Sequence, residues 1–499
     1  MRVIEKIKSV CTICFQEGLI QKIDGAIIEE DGEVWITKEC NKHGFFKDLY
    51  FGDIALYKRW MNFKVTGTSV SDIKTSIFNH SELYFEHKSQ TVLTNLVVTN
   101  RCNDGFRNSC INSETDGCVY EPTLDQLKEL MQQARDQKPI GSKSIQITGG
   151  EPTLREDILD IVRCAKEVGF SNVQIQTNGL KLAESIKLCT RLKEENVNTI
   201  YLVFNGITKK TNPLIEQNKK AIENLRKINL EVALVPFLNA NNINEVGKIV
   251  RFAIDNMDII KGVNFQIDSF CEKSMKIKPE LRKSQQLDYI NAIEEIEKEF
   301  KDQISRDDFY PISFVFPISK IIEIIRKETQ VELSAHPGCG GSTFLFIEDG
   351  RPIPITRFIN VEAFLEYLIK QSKKKGPIQR LRVAASFFKN IERLVNYENV
   401  PQGFDLKQIF KDAALGGKNY ALRNLGHKSL FVGFMCFQNI YNLNIDRLQR
   451  CVIHYTTLEG IIPSCSYCVL GYGNKIRKKH SISITEWEKN TGQKIKNDR

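Results

Sequence analysis

The chain has 499 residues, too many for one ordinary hydrophobic core, so we expect two or three domains. With 41% hydrophobic and 26% charged residues, its composition is that of a folded globular protein and excludes a disordered or low-complexity chain. The net charge of +9 is scattered along the chain, which argues against specific nucleic-acid binding.

No apolar run is long enough to span a bilayer, and the N-terminal residues MRVIEKIKSVC lack the apolar stretch of a signal peptide. We therefore expect a cytoplasmic protein without a transmembrane segment. The densest basic run, KIRKKH at 475–480, is expected to be a solvated tail. Anionic lipid headgroups are the alternative partner for this run, which is compatible with peripheral contact at the inner membrane face.

Cysteine usage points to bound metal. Fourteen cysteines in a reducing compartment predict metal or cluster sites rather than disulfides. Residues 1–90 form the first predicted domain, in which Cys11-Thr-Ile-Cys14 is followed by Cys40-Asn-Lys-His43. Such pairs are typical of a tetrahedral site for structural zinc or a single iron ion, and free thiols are the less favoured alternative. A metal would stabilise a domain with little core of its own.

Residues 91–275 form the predicted core, in which β-branched runs alternate with helical patterns. The strand runs are TVLTNLVVTN, SIQITGG, VQIQTNG, NTIYLVF, EVALVPF and GVNFQID. One intervening helix can be checked by its spacing, because Ile158, Ile161, Val162 and Ala165 would share one face. Six βα units predict an α/β fold, either a doubly wound sheet or an open partial barrel.

Polar loops follow three of these strands, at the edge where parallel α/β sheets bind ligands. Gly149-Gly150-Glu151-Pro152 comes directly after the second strand, with TNRC one strand earlier and QTNG one strand later. The glycines would let the backbone approach a ligand, and the glutamate adds negative charge. A simple turn is the alternative for GGEP alone, but the neighbouring loops favour a ligand site.

Residues 276–499 are predicted to be mostly helical. A long amphipathic helix is expected over 280–300, a hairpin that turns at Asp349-Gly350, and a helix end at KKKGP, 373–377.

Four cysteines from three segments of this region suit an auxiliary [4Fe-4S] cluster or a structural metal: Cys339, Cys451, Cys465 and Cys468. Cys189, Cys271 and Cys436 have no visible partner in the sequence, and we expect them to be buried apolar residues.

The order strand-TNRC, GGEPT and TNG resembles the radical S-adenosylmethionine (SAM) superfamily, whose fold is a partial (β/α)6 barrel. In that superfamily three cysteines hold a [4Fe-4S] cluster whose open iron chelates SAM. The resemblance implies that Gly149, Gly150 and Glu151 contact the methionyl amine of SAM and that Asn178 lines the same rim. Asn205 stands where close relatives have an aspartate.

Segments across most of the chain are similar to the archaeal tetraether lipid synthases: EHKSQTVL, VVTNRCN, VYEPTLDQL, ITGGEPTLRED, GVNFQ, DDFYP, IPITRF, KSLF and RCVIHY. This narrower resemblance implies an enzyme that joins lipid alkyl chains through a carbon radical, with a lipid substrate and a reducing partner. It also implies that Cys339, Cys451 and Cys465 belong to family motifs. The cysteine cluster that precedes EHKS in that group has no counterpart in SIFNHSELYFEHKS.

The loop after the first core strand departs from the superfamily's CxxxCxxC spacing. It reads Cys102-Asn-Asp-Gly-Phe-Arg-Asn-Ser-Cys110, so that Phe106 and Ser109 stand at the second and third ligand positions. Phenylalanine cannot bind iron, and a serine alkoxide is a poor substitute for a thiolate. Cys110 and Cys118 are substitutes if the loop is rebuilt. The alternative is a non-catalytic relative that acts as a lipid-binding, scaffold or regulatory partner.

Overall fold

The structure is a computed structural model, and it describes residues 1–70, 87–103, 111–267, 285–373, 393–402 and 429–495, with the single positions 386, 390 and 408.

A four-stranded antiparallel sheet forms the N-terminal domain. Its strands lie side by side in chain order: β1 (Arg2–Val10), β2 (Lys22–Glu30), β3 (Glu33–Cys40) and β4 (Gly44–Phe51). Helix α1 (Thr12–Gln16) follows β1, and α2 (Ile54–Met61) follows β4. Burial alternates along β3, with Val34 and Ile36 fully buried, as in a sheet that covers a core with one face.

Six strands form the predicted core. They are β5 (Leu93–Thr99), β7 (Ser144–Gly149), β8 (Asn172–Thr177), β9 (Thr199–Val203), β10 (Glu231–Val235) and β12 (Ile260–Ile267), with the short β6 (Cys118–Val119) and β11 (Phe237–Leu238) between them. The six run parallel and are neighbours in chain order. A doubly wound sheet reverses its strand order, so this sequential order selects the partial barrel. The predicted fold class is confirmed.

Helices of this half cover one face of the sheet. They are α3 (Ser113–Asp116), α4 (Leu124–Arg135), α5 (Ile158–Val168), α6 (Leu180–Glu184), α7 (Ile186–Glu194), α8 (Ile215–Lys227) and α9 (Val246–Asp255). In α5 the four predicted core residues are all buried, and Gly169 ends the helix in the left-handed conformation. Cys164 and Cys189 are buried in the same core, as expected for apolar packing.

The C-terminal region contains strands as well as helices. The strands are β13 (Tyr310–Pro311), β14 (Gly340–Glu348), β15 (Arg351–Pro354), β16 (Ser429–Cys436), β17 (Ile453–Thr457), β18 (Gly460–Pro463) and β19 (Ile482–Ser483). The helices are α10 (Tyr289–Phe300), α11 (Phe316–Arg326), α12 (Val361–Ser372), α13 (Ile445–Gln449), α14 (Ser464–Val469), α15 (Tyr472–Lys479) and α16 (Ile484–Thr491).

Two of these strands lengthen the barrel sheet. Strand β16 pairs in parallel with β12, and β17 pairs in parallel with β5, so one extra parallel strand stands at each end of the six. Strands β14 and β13 then continue the sheet beyond β16, and β18 continues it beyond β17. The described part of the C-terminal region is therefore built onto the barrel.

Local predictions in this region had mixed outcomes. The hairpin is confirmed, since β14 and β15 pair around Asp349 and Gly350, both with positive φ. The helix expected over 280–300 begins only at Tyr289, because the Asp288 side chain caps it by accepting two backbone N–H groups. Residues 280–284 lie outside the described residues. Helix α12 ends at Ser372, next to the predicted stop.

The predicted basic tail is a helix in which the lysines are exposed, as expected, and the arginine is buried. KIRKKH lies in α15 and its C-cap, and Arg477 within it is buried, facing the equally buried Asp116 at 3.5 Å. Lys479 and His480 both contact the buried carboxylate of Glu459. Buried carboxylates therefore contact Arg477, Lys479 and His480, whereas contact of the exposed Lys475 and Lys478 with anionic lipid stays a prediction. Within the described ranges, no helix is both long and apolar enough to cross a membrane.

Candidate functional site

The N-terminal cysteines and His43 converge on one point. Ligand atoms of Cys11, Cys14, Cys40 and His43 all lie within 4.8 Å of one another. The thiols of Cys11 and Cys14 stand 3.3 and 3.4 Å from Nδ1 of His43. Three thiols and one imidazole are the donors that tetrahedral zinc prefers, so these residues fit a structural metal.

The surroundings of this set favour metal binding. Burial raises the pKa of the Cys14 thiol to about 11, so that a cation is needed to hold it as a thiolate at neutral pH. The backbone N–H of Lys42 lowers the pKa of Cys40. On the far side of the imidazole, Nε2 of His43 faces a carboxylate oxygen of Glu17 at 3.8 Å, an arrangement that orients metal-bound histidines.

The GGEP loop sits against the loop that leads to Cys102. The backbone N–H of Gly150 donates to the carbonyl of Thr99 at 2.9 Å, and that of Glu151 donates to the carbonyl of Arg101 at 2.7 Å. A Cβ on Gly149 or Gly150 would stand 2.1 or 2.2 Å from a backbone oxygen. Only glycine permits this approach, which fixes the predicted rim loop beside the predicted cluster loop.

The Glu151 side chain is fully buried and joins the GGEP loop to the TNG loop. One carboxylate oxygen accepts hydrogen bonds from the N–H and hydroxyl of Thr153 and from the hydroxyl of Thr177, and the other accepts the N–H of Asn178. Burial raises the pKa of Glu151, although these donors oppose the shift. The carboxylate thus organises the rim, and the backbone of the loop is left to meet a ligand.

Asn178 and Asn205 extend the rim in both directions. The Asn178 amide donates to Oδ1 of Asn103 at 2.9 Å, which links the TNG loop to the residue after Cys102. The Asn205 side chain accepts the N–H of Phe237 at 2.9 Å and so ties the end of β9 to β11. All the predicted rim residues therefore lie at the carboxyl ends of the barrel strands.

Three of the C-terminal cysteines singled out in the sequence lie close together. Burial, together with the thiols of Cys465 and Cys339, raises the pKa of Cys451. Burial also raises the pKa of Cys465 to about 11, with Arg447 opposing and Cys339 adding to the shift. The fourth predicted member is different, because Cys468 directs its Sγ toward the hydroxyl of Tyr455, 3.8 Å away.

Cys436, which the sequence suggested was an isolated apolar residue, lies near this group. Burial raises its pKa to about 11, and the Cys465 thiol adds to the shift. It ends β16, whereas Cys451 and Cys465 flank β17 and β18 at the other end of the strand order. The two ends of the sheet must therefore curve toward each other, as in a nearly closed barrel.

Comparisons with known proteins agree with this geometry. A family model of the HMPTM N-terminal zinc ribbon domain matches residues 3–52, and the model of the radical SAM superfamily matches residues 96–253. The 7,8-dihydro-6-hydroxymethylpterin dimethyltransferase of Methanocaldococcus jannaschii is 35% identical over 502 residues, covering 97% of both chains. The chain belongs to this radical SAM family.

Other radical SAM relatives are more distant. A probable GTP 3',8-cyclase of Saccharolobus islandicus is 28% identical over 241 residues, which cover 46% of this chain and 73% of the cyclase. The crystal structure of Streptococcus suis SuiB aligns with a TM-score of 0.34 and 18% identity, over 42% of this chain and 46% of SuiB. That likeness is too low to carry an argument. The cyclase and the superfamily model support the radical SAM superfamily, and neither supports the narrower tetraether lipid synthase resemblance.

The C-terminal cysteine group (Cys339, Cys451 and Cys465) fits an anionic cofactor. Buried Arg447 adjoins it and donates from one terminal nitrogen to the Cys436 carbonyl. Among the residues that the structure describes, Nε of Arg447 and Nε2 of the buried His336 have no hydrogen-bond partner. Buried polar atoms without partners are costly, and a cysteine-bound iron–sulfur cluster would offer sulfur acceptors to them. The residues present therefore fit a cysteine-bound iron–sulfur cluster, and its [4Fe-4S] type and the membership of Cys468 stay predictions.

The cluster loop is described only at its edges. Cys102 and Asn103 are described, whereas Phe106, Ser109 and Cys110 lie in 104–110, outside the described residues. Cys118 opens β6, where its carbonyl accepts the side-chain amide of Asn100 at 3.0 Å. Convergence of Cys102, Cys110 and Cys118 on one cluster therefore stays a prediction. Cys271 also lies outside the described residues.

The C-terminal segment contacts the residue that precedes Cys102, at the start of the cluster loop. Sequence patterns did not reveal this contact. Arg101 donates from Nε to Glu121 at 2.6 Å, and its guanidinium stacks on Trp487 with 4.6 Å to the ring centre. The Trp487 indole N–H donates to the other oxygen of Glu121 at 2.8 Å. Strand β19 pairs with β6 through Ser483 and Cys118. This arrangement, called the C-terminal clasp below (Arg101, Glu121 and Trp487), holds the residue before Cys102.

Proposed function

We propose that this protein is a radical SAM enzyme that transfers methyl groups to the ring of a 7,8-dihydropterin. The relative of M. jannaschii carries that activity in its name and matches along nearly the whole chain. The observation that carries the proposal is the Glu151 network, since one buried carboxylate holds the GGEP and TNG loops together beside Cys102. Such a preformed rim is what a bound SAM molecule requires.

Each rim element has a definite task in this proposal. When bound, a reduced [4Fe-4S] cluster and SAM supply the carbon radical chemistry. The backbone at Gly149 and Gly150 is left free of side chains, so that the methionyl amine can approach it. Glu151 keeps that backbone in place, and Asn178 holds the following loop against Asn103. The C-terminal clasp fixes Arg101 and hence the start of the cluster loop.

A second radical SAM function is lipid alkyl coupling, as in the tetraether lipid synthases. It is favoured by the segments of the sequence that resemble that group, among them DDFYP and IPITRF. Both functions form a bond to carbon, and they differ in whether the acceptor is a polar ring or an alkyl chain. Substrate tests must therefore include both classes.

A non-catalytic role is favoured by one observation, the replacement of two cluster ligands by Phe106 and Ser109. In that case the rim would bind SAM or a related nucleotide without cleaving it. The C-terminal cysteine group would still hold its cluster, because its ligands do not come from the degenerate loop. The protein would then act as a regulatory or scaffold partner.

The deciding experiment follows the methyl group. Anaerobically reconstituted full-length protein is incubated with SAM deuterated in its methyl group, a reductant, and either 7,8-dihydro-6-hydroxymethylpterin or a dialkyl glycerol ether lipid. We expect deuterated methyl groups on the pterin, detected by mass spectrometry, and their loss in Cys102→Ala. Coupled lipid without labelled pterin would replace the proposal by the lipid function. Absence of both products, with the C-terminal cluster assembled, would leave the non-catalytic role.

A further inference from the structure

The inner face of the barrel is polar, in contrast with its outer face. Along β7 and β8, Ile145, Ile147, Val173 and Ile175 belong to the core that packs under the helices. The alternate residues must point to the opposite, inner face, because side chains alternate along a strand. In the same two strands those residues are Gln146, Thr148, Gln174 and Gln176. The sequence runs SIQIT and VQIQT thus encode an amide-lined interior.

Hydrogen bonds connect these side chains into a ladder across three strands. The Gln146 amide donates to Oε1 of Gln176 at 2.8 Å and to Oδ1 of Asn95 at 3.3 Å. Gln174 donates to Oε1 of Gln146, and the Thr148 hydroxyl donates to Oε1 of Gln176, both at 3.4 Å. These contacts prove that the residues share one face. We call this set the amide ladder (Asn95, Gln146, Thr148, Gln174 and Gln176).

The interior is open to a ligand on the side of β9 and β12. Gln176, Tyr201, Asn264 and Gln266 are only half-buried, whereas their neighbours that face the helices are fully buried. Amide groups at half-buried positions retain donors and acceptors for a partner. The two hydrogen bonds of 3.4 Å in the ladder are weak, so a ligand can replace them with hydrogen bonds of its own.

The inner face carries little charge. From the level of Asn95 and Gln146 up to the rim, the inward positions of the eight described parallel strands carry mostly amides, hydroxyls, aromatic rings and apolar groups. The acidic exception is Glu231, in register with Thr199, and Lys261, at an irregularity of β12, donates from Nζ to the Met257 carbonyl. Phe237 stands at the upper end of this face, pairs with Gln266 in register, and is 37% exposed. An exposed ring beside an amide offers a flat platform for a flat ligand.

From these observations we infer that the barrel interior is a binding site for an uncharged planar heterocycle of the pterin class. The edge of the heterocycle hydrogen-bonds to the amide ladder, chiefly to Gln146 and Gln176, and its ring face lies near Phe237. The inference rests on the proposed function for the position of SAM, and it adds the residues that select the substrate. A pterin edge alternates hydrogen-bond donors and acceptors, and primary amides complement both.

The inner face of the barrel disfavours two other ligands, an alkyl chain and a nucleoside triphosphate. An alkyl chain would cover the amides without offering hydrogen bonds, which leaves buried polar groups unpaired. A nucleoside triphosphate would face the carboxylate of Glu231 at the level of the ladder, which opposes its negative charge. Selection by buried amides is strong, because a ligand without matching groups leaves them unsatisfied.

Calorimetric titration of the full-length protein with 7,8-dihydro-6-hydroxymethylpterin under anaerobic conditions tests this inference. Gln176→Leu and Gln146→Leu should each raise Kd by at least about tenfold, since each removes a hydrogen-bonding amide. Gln217→Leu, on the outer surface of α8, is the matched control and should leave Kd unchanged. If the leucine variants melt at a lower temperature, Gln176→Glu replaces them in the test. It is nearly equal in volume to the wild type but lacks the amide donor, so it should also raise Kd for the pterin.

Each outcome has a definite meaning. Unchanged pterin affinity in the ladder variants would overturn the inference, and so would tighter binding of GTP or of a dialkyl glycerol ether lipid than of the pterin. Ladder-dependent pterin binding without any methyl transfer would support the inference while the proposed function fails. Methyl transfer to the pterin that survives Gln176→Leu and Gln176→Glu with unchanged KM would contradict the inference alone.

Discussion

The N-terminal ribbon holds a complete ligand set, whereas the loop after β5 keeps only Cys102 at its expected position. In the ribbon the ligands form a small buried cluster of their own, because Cys11, Cys14 and Cys40 pack with Ile23. The barrel rim is held by the Glu151 hydrogen bonds instead, and none of these involves a thiol. We therefore expect the ribbon to need its cysteines for stability, and the barrel rim to keep its fold when the loop cysteines are replaced.

Removing one ribbon ligand should have the largest effect. In Cys14→Ser we expect loss of the bound metal and a fall in the free energy of unfolding of at least about 3 kcal/mol, because metal binding supplies the folding energy of a small domain. Metal analysis and thermal melting measure both. Cys164→Ser in α5 is the control and should keep the metal. An unchanged melting temperature after metal loss would show that the ribbon, like the barrel rim, is held without its cysteine ligands.

The rim should depend on Glu151 in the same way that the ribbon depends on its metal. Glu151→Ala leaves the buried N–H groups of Thr153 and Asn178 without acceptors, at about 1–3 kcal/mol each. Chemical denaturation should show this loss while the ribbon metal stays bound. Glu151→Gln retains an acceptor oxygen and should cost less. Equal stability of Glu151→Ala and the wild type would show that the rim is held by other contacts.

Acid should weaken the junction between β17 and the residues that precede β5. Nδ1 of His87 lies 3.1 Å from Nε2 of His454, and burial lowers the pKa of His87 to about 4 and that of His454 well below its usual range. Both histidines are neutral when folded and take up protons only on unfolding. Their stabilising contribution is therefore present above pH 6.5 and is lost as the pH falls toward 4, by about 1.4 kcal/mol per pH unit for each.

Urea titrations at pH 7, 6 and 5 measure this slope. The ribbon metal is also released by acid, since its ligands become protonated, so the slope should be measured in the Cys14→Ser background. His87→Gln should make the slope shallower there. A slope that is independent of both histidines would assign acid sensitivity to other groups.

The smallest effect is expected at the C-terminal clasp. Trp487→Phe keeps an aromatic face under Arg101 but removes the N–H that bonds to Glu121, at about 1 kcal/mol. The loop start should loosen, so that iodoacetamide alkylates Cys102 faster, as measured by peptide mass spectrometry. Trp35→Phe, in the ribbon, is the control. Unchanged alkylation of Cys102 in Trp487→Phe would show that the clasp does not position the loop.

Local sequence signals predicted much of this molecule. The six core strands follow from β-branched runs, and the ribbon site follows from two short cysteine and histidine spacings, because both signals lie within a few residues. The rim loops could be placed at one edge because parallel strands end there. Helix α10 was predicted too long, since periodicity continued through Asp288, whose capping side chain stops it.

Long-range pairings were beyond these signals. Strands β16 and β17 join β12 and β5 across more than a hundred residues, and no local pattern states which strands become neighbours. The closeness of Cys436 to Cys465 depends on that pairing. One clue existed, because SLFVGFMC resembles the core strand runs and ends in a cysteine. The amide ladder was visible as alternation in SIQIT and VQIQT, but the face it lines required the strand order.

The measurement that tests the central claim most directly is the release of 5′-deoxyadenosine from SAM by anaerobically reconstituted, dithionite-reduced protein. The account predicts release by the wild type and its loss in Cys102→Ala, with the ribbon metal retained in both. No release from wild-type protein whose ribbon metal and C-terminal cluster are both assembled would contradict it. The preserved rim would then be that of a protein that binds SAM without cleaving it.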